Sequence, residues 1–354
     1  MIKVNLVVCN IFLLPVLVVA GLSTLSDSKI ELSIDLSSAK ALIRVFERGK
    51  ITQDELEHMI SLHGIQSLIH KVSSYDEGAS SEVFKISLNN ILEGELLNYD
   101  PFQFQQVKDR LAEMRILIQL IEDYPDKLVT SIKEKIRRYC PGELEFSVKV
   151  YLLIGGSSDG WTRNGNFYIA LHYFRDDYEG VKLLMAHELY HIAQRHFFGD
   201  AKNSANPLIT ACHSLLNTTR KEGIASMVGD PLEVEDDHAY TQWYREKFKR
   251  NIMKIQQNFE LFETLLFRLY YDPEIKFSQL YPLGFSGGWD SPLYFVGYYI
   301  GRTIEQYKGR DLLVELLKKP PLEFFKTYIN IYMKNPRKNL MTFSSSVNKI
   351  LNSL

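Results

Sequence analysis

Five consecutive residues, His187-Glu188-Leu189-Tyr190-His191, bring two imidazoles and a carboxylate together in an H-E-x-x-H pattern. The surrounding stretch, residues 181–198, reads VKLLMAHELYHIAQRHFF; it is mostly apolar and lacks Gly and Pro, which predicts a largely buried helix. Residues four apart share one helical face, so both imidazoles stand side by side, as two ligands of one tetrahedral zinc require. Glu188 follows the first of them directly, where its carboxylate can reach a water at the metal and act as general base. The competing interpretation is two buried histidines satisfied by hydrogen bonds alone.

Catalytic zinc takes three protein ligands, and the third defines the subclass. A metzincin continuation needs a His ten residues after the first, but position 197 is Phe, and Gln194 stands where that pattern has Gly. His196 falls off the shared helical face, and Asp200 lacks the Gly-Thr setting of the aspartate-ligand group. The helix expected over residues 207–228 carries an apolar stripe of Leu208, Cys212, Leu215 and Thr219 that continues onto Glu222, beside the small residues Gly223 and Ala225. A carboxylate on a buried stripe is costly unless something such as a metal compensates it. The alternative is a helix that surfaces near Lys221 and leaves Glu222 solvated. His196, His213 and Asp200 then stand in reserve as ligands.

These residues carry a resemblance. H-E-x-x-H followed about thirty residues later by Glu222-Gly223-Ile224-Ala225 resembles the gluzincin zinc metallopeptidases, most of all bacterial families that pair H-E-x-x-H with an E-G-[LI]-A helix. Residues 292–309, PLYFVGYYIGRTIEQYKG, are loosely similar to a Tyr- and Gly-rich helix near the active site in those families, so the likeness covers roughly residues 143–335. It implies Zn2+ held by His187, His191 and Glu222, with Glu188 as base. It also implies a His or Tyr that stabilises the oxyanion. Tyr294 and Tyr298, one helical turn apart, are the candidates, with His238 a third.

Those groups need elements to position them. Residues 37–140 have helical periodicity: Ala39, Leu42, Ile43 and Phe46 up to Gly49; a Thr52/Glu55 capping box before Leu56, Met59 and Ile60, with Gly64 as the stop; one long helix through Val107, Leu111, Met114, Leu117 and Ile121 to Pro125; and another from about 126 to 140. His58, His63 and His70 have no ligand spacing and are expected at the surface. Alternation from Leu144 to Ile154 predicts a strand, residues 155–165 (GGSSDGWTRNG) a connecting loop, and residues 166–174 a second strand. The loop lacks the helix of a P-loop and the ligand count of a calcium site around Asp159. The second strand is the candidate edge that would receive the substrate backbone.

The chain of 354 residues has ample material for a core, and its 45% hydrophobic and 24% charged residues are those of a folded soluble protein. A net charge of -2 gives no electrostatic case for nucleic acid. Residues 2–22 place one cation, Lys3, before an apolar run interrupted by Asn10 and Pro15, which favours a secretory signal over a membrane anchor; either exports the rest. Only Cys140 and Cys212 then remain, as one disulfide or two buried thiols.

The expected protein is α+β and mainly α: a zincin-like fold with a small antiparallel or mixed sheet beside the active-site helix. Residues 1–26 would be signal or anchor, 27–142 a helical region, 143–335 the catalytic domain and 336–354 a tail. The expected activity is hydrolysis of a peptide or protein substrate. The rivals are a catalytically silent binding or scaffold protein, which an intact Glu188 disfavours, and a zinc hydrolase acting on other bonds.

Overall fold

Asp177 begins the element that carries the motif. Its buried carboxylate accepts the Gly180 N–H at 2.6 Å and caps α8 (Tyr178–Phe197). The same side chain accepts the Thr241 N–H at 2.6 Å and hydroxyl at 3.1 Å, at the start of α10 (Ala239–Met253). One acid thus satisfies orphan amides of two helices and fixes their N-termini together. The computed structural model describes residues 29–199, 206–235, 238–287 and 290–354. The proposed signal or anchor and Asp200 lie outside these residues. No described helix is long and apolar enough to cross a membrane.

The fold is α+β and mainly helical, with one four-stranded mixed sheet. Strand order is β1-β2-β4-β3, where β1 is Ile30–Asp35, β2 Phe146–Leu153, β3 Gly160–Arg163 and β4 Asn166–Ala170. β2 pairs parallel with both β1 and β4, whereas β3 pairs antiparallel with β4.

Three details depart from the sequence reading here. β1, unforeseen, carries the sheet across the 142/143 line drawn between a helical region and a catalytic domain. The loop at 155–165 contains a strand, because Asn164 and Gly165 both take positive φ, 49° and 77°, and close a two-residue hairpin. β4 consequently lies inside the sheet with β3 outside it, so residues 166–174 are not the free edge expected of them.

The N-terminal helices α1 (Ser37–Arg48), α2 (Gln53–Ser61), α3 (His63–Ser73) and α4 (Ser81–Glu93) precede the second strand. The Thr52/Glu55 capping box forms as expected, but Gly64 lies within α3. A Cβ there would sit 2.4 Å from Ser38 Oγ and 2.6 Å from Leu153 Cδ2, so this glycine lets α3 pack onto α1 and the sheet. The long helix expected up to Pro125 is two, α5 (Phe104–Asp109) and α6 (Leu111–Asp123), interrupted where Arg110 leaves helical geometry and donates to the His172 carbonyl at 2.9 Å. Pro125 starts α7 (Pro125–Arg137) at the position where a missing N–H costs nothing.

The C-terminal part centres on α9 (Pro207–Val228), which packs against α8, α11 (Ile255–Tyr271), α12 (Phe277–Phe285), α13 (Pro292–Lys308) and α15 (Pro321–Lys334). Its closest approach is to α13: a Cβ on Gly297 would lie 1.9 Å from the Thr219 carbonyl oxygen, and one on Gly223 2.2 Å from the Gly297 carbonyl carbon. The buried Arg220 on α9 donates to the Lys319 carbonyl at 2.7 Å and to the Gly199 carbonyl at 2.9 Å, past the end of α14 (Arg310–Leu317). The segment 336–354, expected as a tail, folds as α16 (Ser345–Ser353), buries Val347, Ile350 and Leu351, and packs on α11 and α15. Cys140 and Cys212 are both buried free thiols.

Candidate metal centre

The spacing of His187 and His191 on α8 does what helical geometry dictates, bringing their Nε2 atoms to 3.3 Å. Glu222 enters from α9: its Oε2 lies 3.2 Å from Nε2 of His191 and 3.6 Å from Nε2 of His187. The three ligand atoms lie within 4.8 Å of one another. His187 is buried, whereas Glu222 and His191 keep 15% and 19% of their side-chain surface, so the cluster is roofed by α9 yet open on one side.

Two imidazole nitrogens facing one carboxylate oxygen fit a zinc ion in chemistry as well as spacing. A further sign is that Glu222 Oε2 is buried and has no hydrogen-bond partner, an arrangement costly for a carboxylate that holds nothing. Without metal, burial is the largest influence on Glu222 and favours its neutral form, but His191 and His187 outweigh it and hold its pKa well below the usual carboxylate range. Burial likewise opposes charge on His191, and Glu222 overcomes it, pushing the imidazole up to about 9.

A second residue on α8 sets the orientation of His191. Its Nδ1–H donates to Oε1 of buried Gln194 at 2.8 Å, which leaves Nε2 as the free donor atom. The Gln194 amide then donates to the Lys221 carbonyl at 2.9 Å, one residue before Glu222. One amide therefore orients His191 on α8 and ties it to the helix that carries Glu222. The sequence reading noted Gln194 only as a departure from another pattern; its i, i+3 relation to His191 was the available signal.

Glu188 is half-buried beside the cluster. Burial raises its pKa, with Glu222 and Asp159 adding to the effect and His191 and His187 opposing it. Asp159, just before β3, accepts the Tyr240 hydroxyl at 3.4 Å, and the charge of Glu188 also bears on Tyr244, one turn further along α10. None of these three was singled out as part of the site, since they come from a loop and a helix that only the fold brings to α8.

The two candidate tyrosines on α13 separate. The Tyr294 ring lies nearly parallel to His187, with centroids 6.1 Å apart and an 8° interplanar angle, and burial, then the nearby charge of Glu222, pushes its phenol pKa well up. Tyr298 instead donates to Asp230 at 2.6 Å, within a network where Arg302 bridges Asp230 and Glu233. His238 engages Asp176 at 3.5 Å, and exposed His196 stacks on Phe146. His213 is buried on α9.

Residues 56–337 match the sequence profile of a family described as "Putative zinc dependent peptidase (DUF5700)". The chain belongs to that family. The match begins in α2, well before the 143–335 segment that carries the motifs, so the family's common unit takes in most of the N-terminal helices of this member. The family description names zinc dependence, and His187, His191 and Glu222 form the three-residue group able to hold a metal among the described residues. No curated protein and no solved structure matches the chain.

Proposed function

We propose that the protein is a gluzincin-type zinc metallopeptidase that hydrolyses peptide bonds, with His187, His191 and Glu222 as ligands and Glu188 as general base. The observation that carries this reading is the approach of Glu222 Oε2, from a separate helix, to the Nε2 atoms of both motif histidines. When bound, zinc supplies a Lewis acid that acidifies water and polarises a carbonyl. Glu188 accepts a proton from the attacking water and delivers it to the amine nitrogen as the C–N bond breaks. Its raised pKa suits both halves of that transfer. Gln194 keeps His191 in the tautomer whose Nε2 lone pair faces the ligand cluster.

For the oxyanion we assign Tyr294 rather than Tyr298, because the Tyr298 hydroxyl is already committed to Asp230. The outer edge of β3, last strand of the sheet on that side, is the place for an extended substrate to add as a further strand. A chain with a cleaved leader or an N-terminal anchor would carry out this reaction outside the cytoplasm.

Replacing Glu188 by Gln tests the base. Zinc content should stay near one per chain while peptide hydrolysis falls by about 10²–10⁴-fold. Comparable activity in that variant would remove Glu188 from the mechanism, and loss of zinc would make it a structural rather than a chemical residue.

A further inference from the structure

A cavity of about 660 Å3 is lined by Arg110, Arg175, Asp159, Tyr240 and Trp243 among others. Asp159 and Tyr240 carry it towards α8: a Cβ on Gly160, next to Asp159, would touch Leu184 at 3.4 Å, one turn before Glu188, and a Cβ on Gly180 would touch Tyr240 at 2.8 Å. Asp159 also immediately precedes β3, so a peptide laid along that edge passes the cavity mouth at the strand's start.

The charge of the lining is uneven. Arg110 has its Nη1–H on the His172 carbonyl, which anchors the guanidinium without neutralising it, and no carboxylate pairs with it among the described residues. Arg175, exposed and held at a φ of 58°, has its closest carboxylate, Glu113, at 4.0 Å. The one carboxylate in the lining, Asp159, already accepts the Gly160 N–H at 3.0 Å and the Tyr240 hydroxyl at 3.4 Å. Trp243, 51% exposed, adds an aromatic wall. Two guanidiniums, one without a carboxylate partner and the other only loosely paired, in a cavity with an aromatic wall suit a carboxylate, which their forked donors can bind through two parallel hydrogen bonds.

We infer that this cavity recognises a carboxylate of the peptide substrate, supplied by an acidic side chain or by the peptide's own C-terminus. The inference rests on the peptidase reading and adds a substrate class to it.

The experiment uses the zinc-loaded full chain and matched peptides that differ as Glu against Gln near the scissile bond, or as free acid against amide at the C-terminus. A charge-assisted contact predicts a preference for the carboxylate member of one pair on the order of ten- to a hundredfold in kcat/KM. Preference in the Glu/Gln pair identifies a side chain, and preference in the acid/amide pair identifies the terminus. That ratio should collapse towards one in both Arg110→Gln and Arg175→Gln. Equal rates within both pairs, or a preference untouched by either substitution, would overturn the inference while leaving the peptidase reading intact. If no peptide is cleaved, that reading fails, and the tryptophan fluorescence that Trp243→Phe removes, followed during titration with the same uncleaved peptides, decides the pocket separately. Saturable quenching by the carboxylate members alone upholds it, and no difference between members rejects it.

Discussion

At Glu222 the chain takes a carboxylate into a helix packed on five others and leaves one oxygen without a hydrogen bond. Changing it to Ala should remove high-affinity zinc, read by metal titration, whereas Glu233→Ala should not, since Glu233 pairs with Arg138 and Arg302 instead. Gln194→Leu should keep all three ligands yet weaken zinc about 10–100-fold, because nothing then orients His191. The clustering of His187, His191 and Glu222 was legible in the sequence, as helical spacing alone brings two of them together and the apolar stripe points to the third. Gln194 was not, since half of its role depends on a carbonyl of another helix. A different residue contributes to the acid response. His172 is fully buried, accepts the Gly155 N–H at Nδ1, and is pushed down to about 3 by burial and then by the charge of Arg110. Between about pH 6.5 and 3 the unfolded chain therefore binds a proton that the folded chain refuses, so stability falls as pH drops through that window. In urea titrations His172→Gln should show a shallower loss of stability over the same range than the parent.

At the scale of elements, the crossing of α9 and α13 sets how far Tyr294 stands from Glu222. Gly297→Ala would force a methyl group into the Thr219 carbonyl, and backbone cannot swing aside as a side chain can. We expect a loss of about 3 kcal/mol or more in urea unfolding. Gly301→Ala one turn on should cost less, because its new Cβ meets the flexible end of Met227. The small residues after Glu222 signalled such an approach in the sequence, but not its partner. β1 was missed for a related reason: it is six residues long, and the partner that makes it a strand begins at Phe146. The β3 hairpin could have been found, since Asn-Gly between short alternating runs favours a tight turn. The Gly- and Ser-rich residues before it obscured that signal. The break at Arg110 had none, as an apolar stripe runs through it unchanged.

For the whole molecule, a metal that binds only the folded state should add about 2.7 kcal/mol when free zinc is a hundredfold above its Kd. Chelation should lower Tm accordingly, zinc should restore it, and Glu222→Ala should be insensitive to both. Where that energy goes follows from the position of α9 among its neighbours. Its partners include α8, α11, α13 and α15, but none of α1 to α4 packs extensively on it. Amide hydrogen exchange should therefore register the ion unevenly. Protons along α9 and α13 should exchange far more slowly with zinc present, while those of α1 to α4 keep their rates, dividing one continuous core into a half that senses the metal and a half that does not.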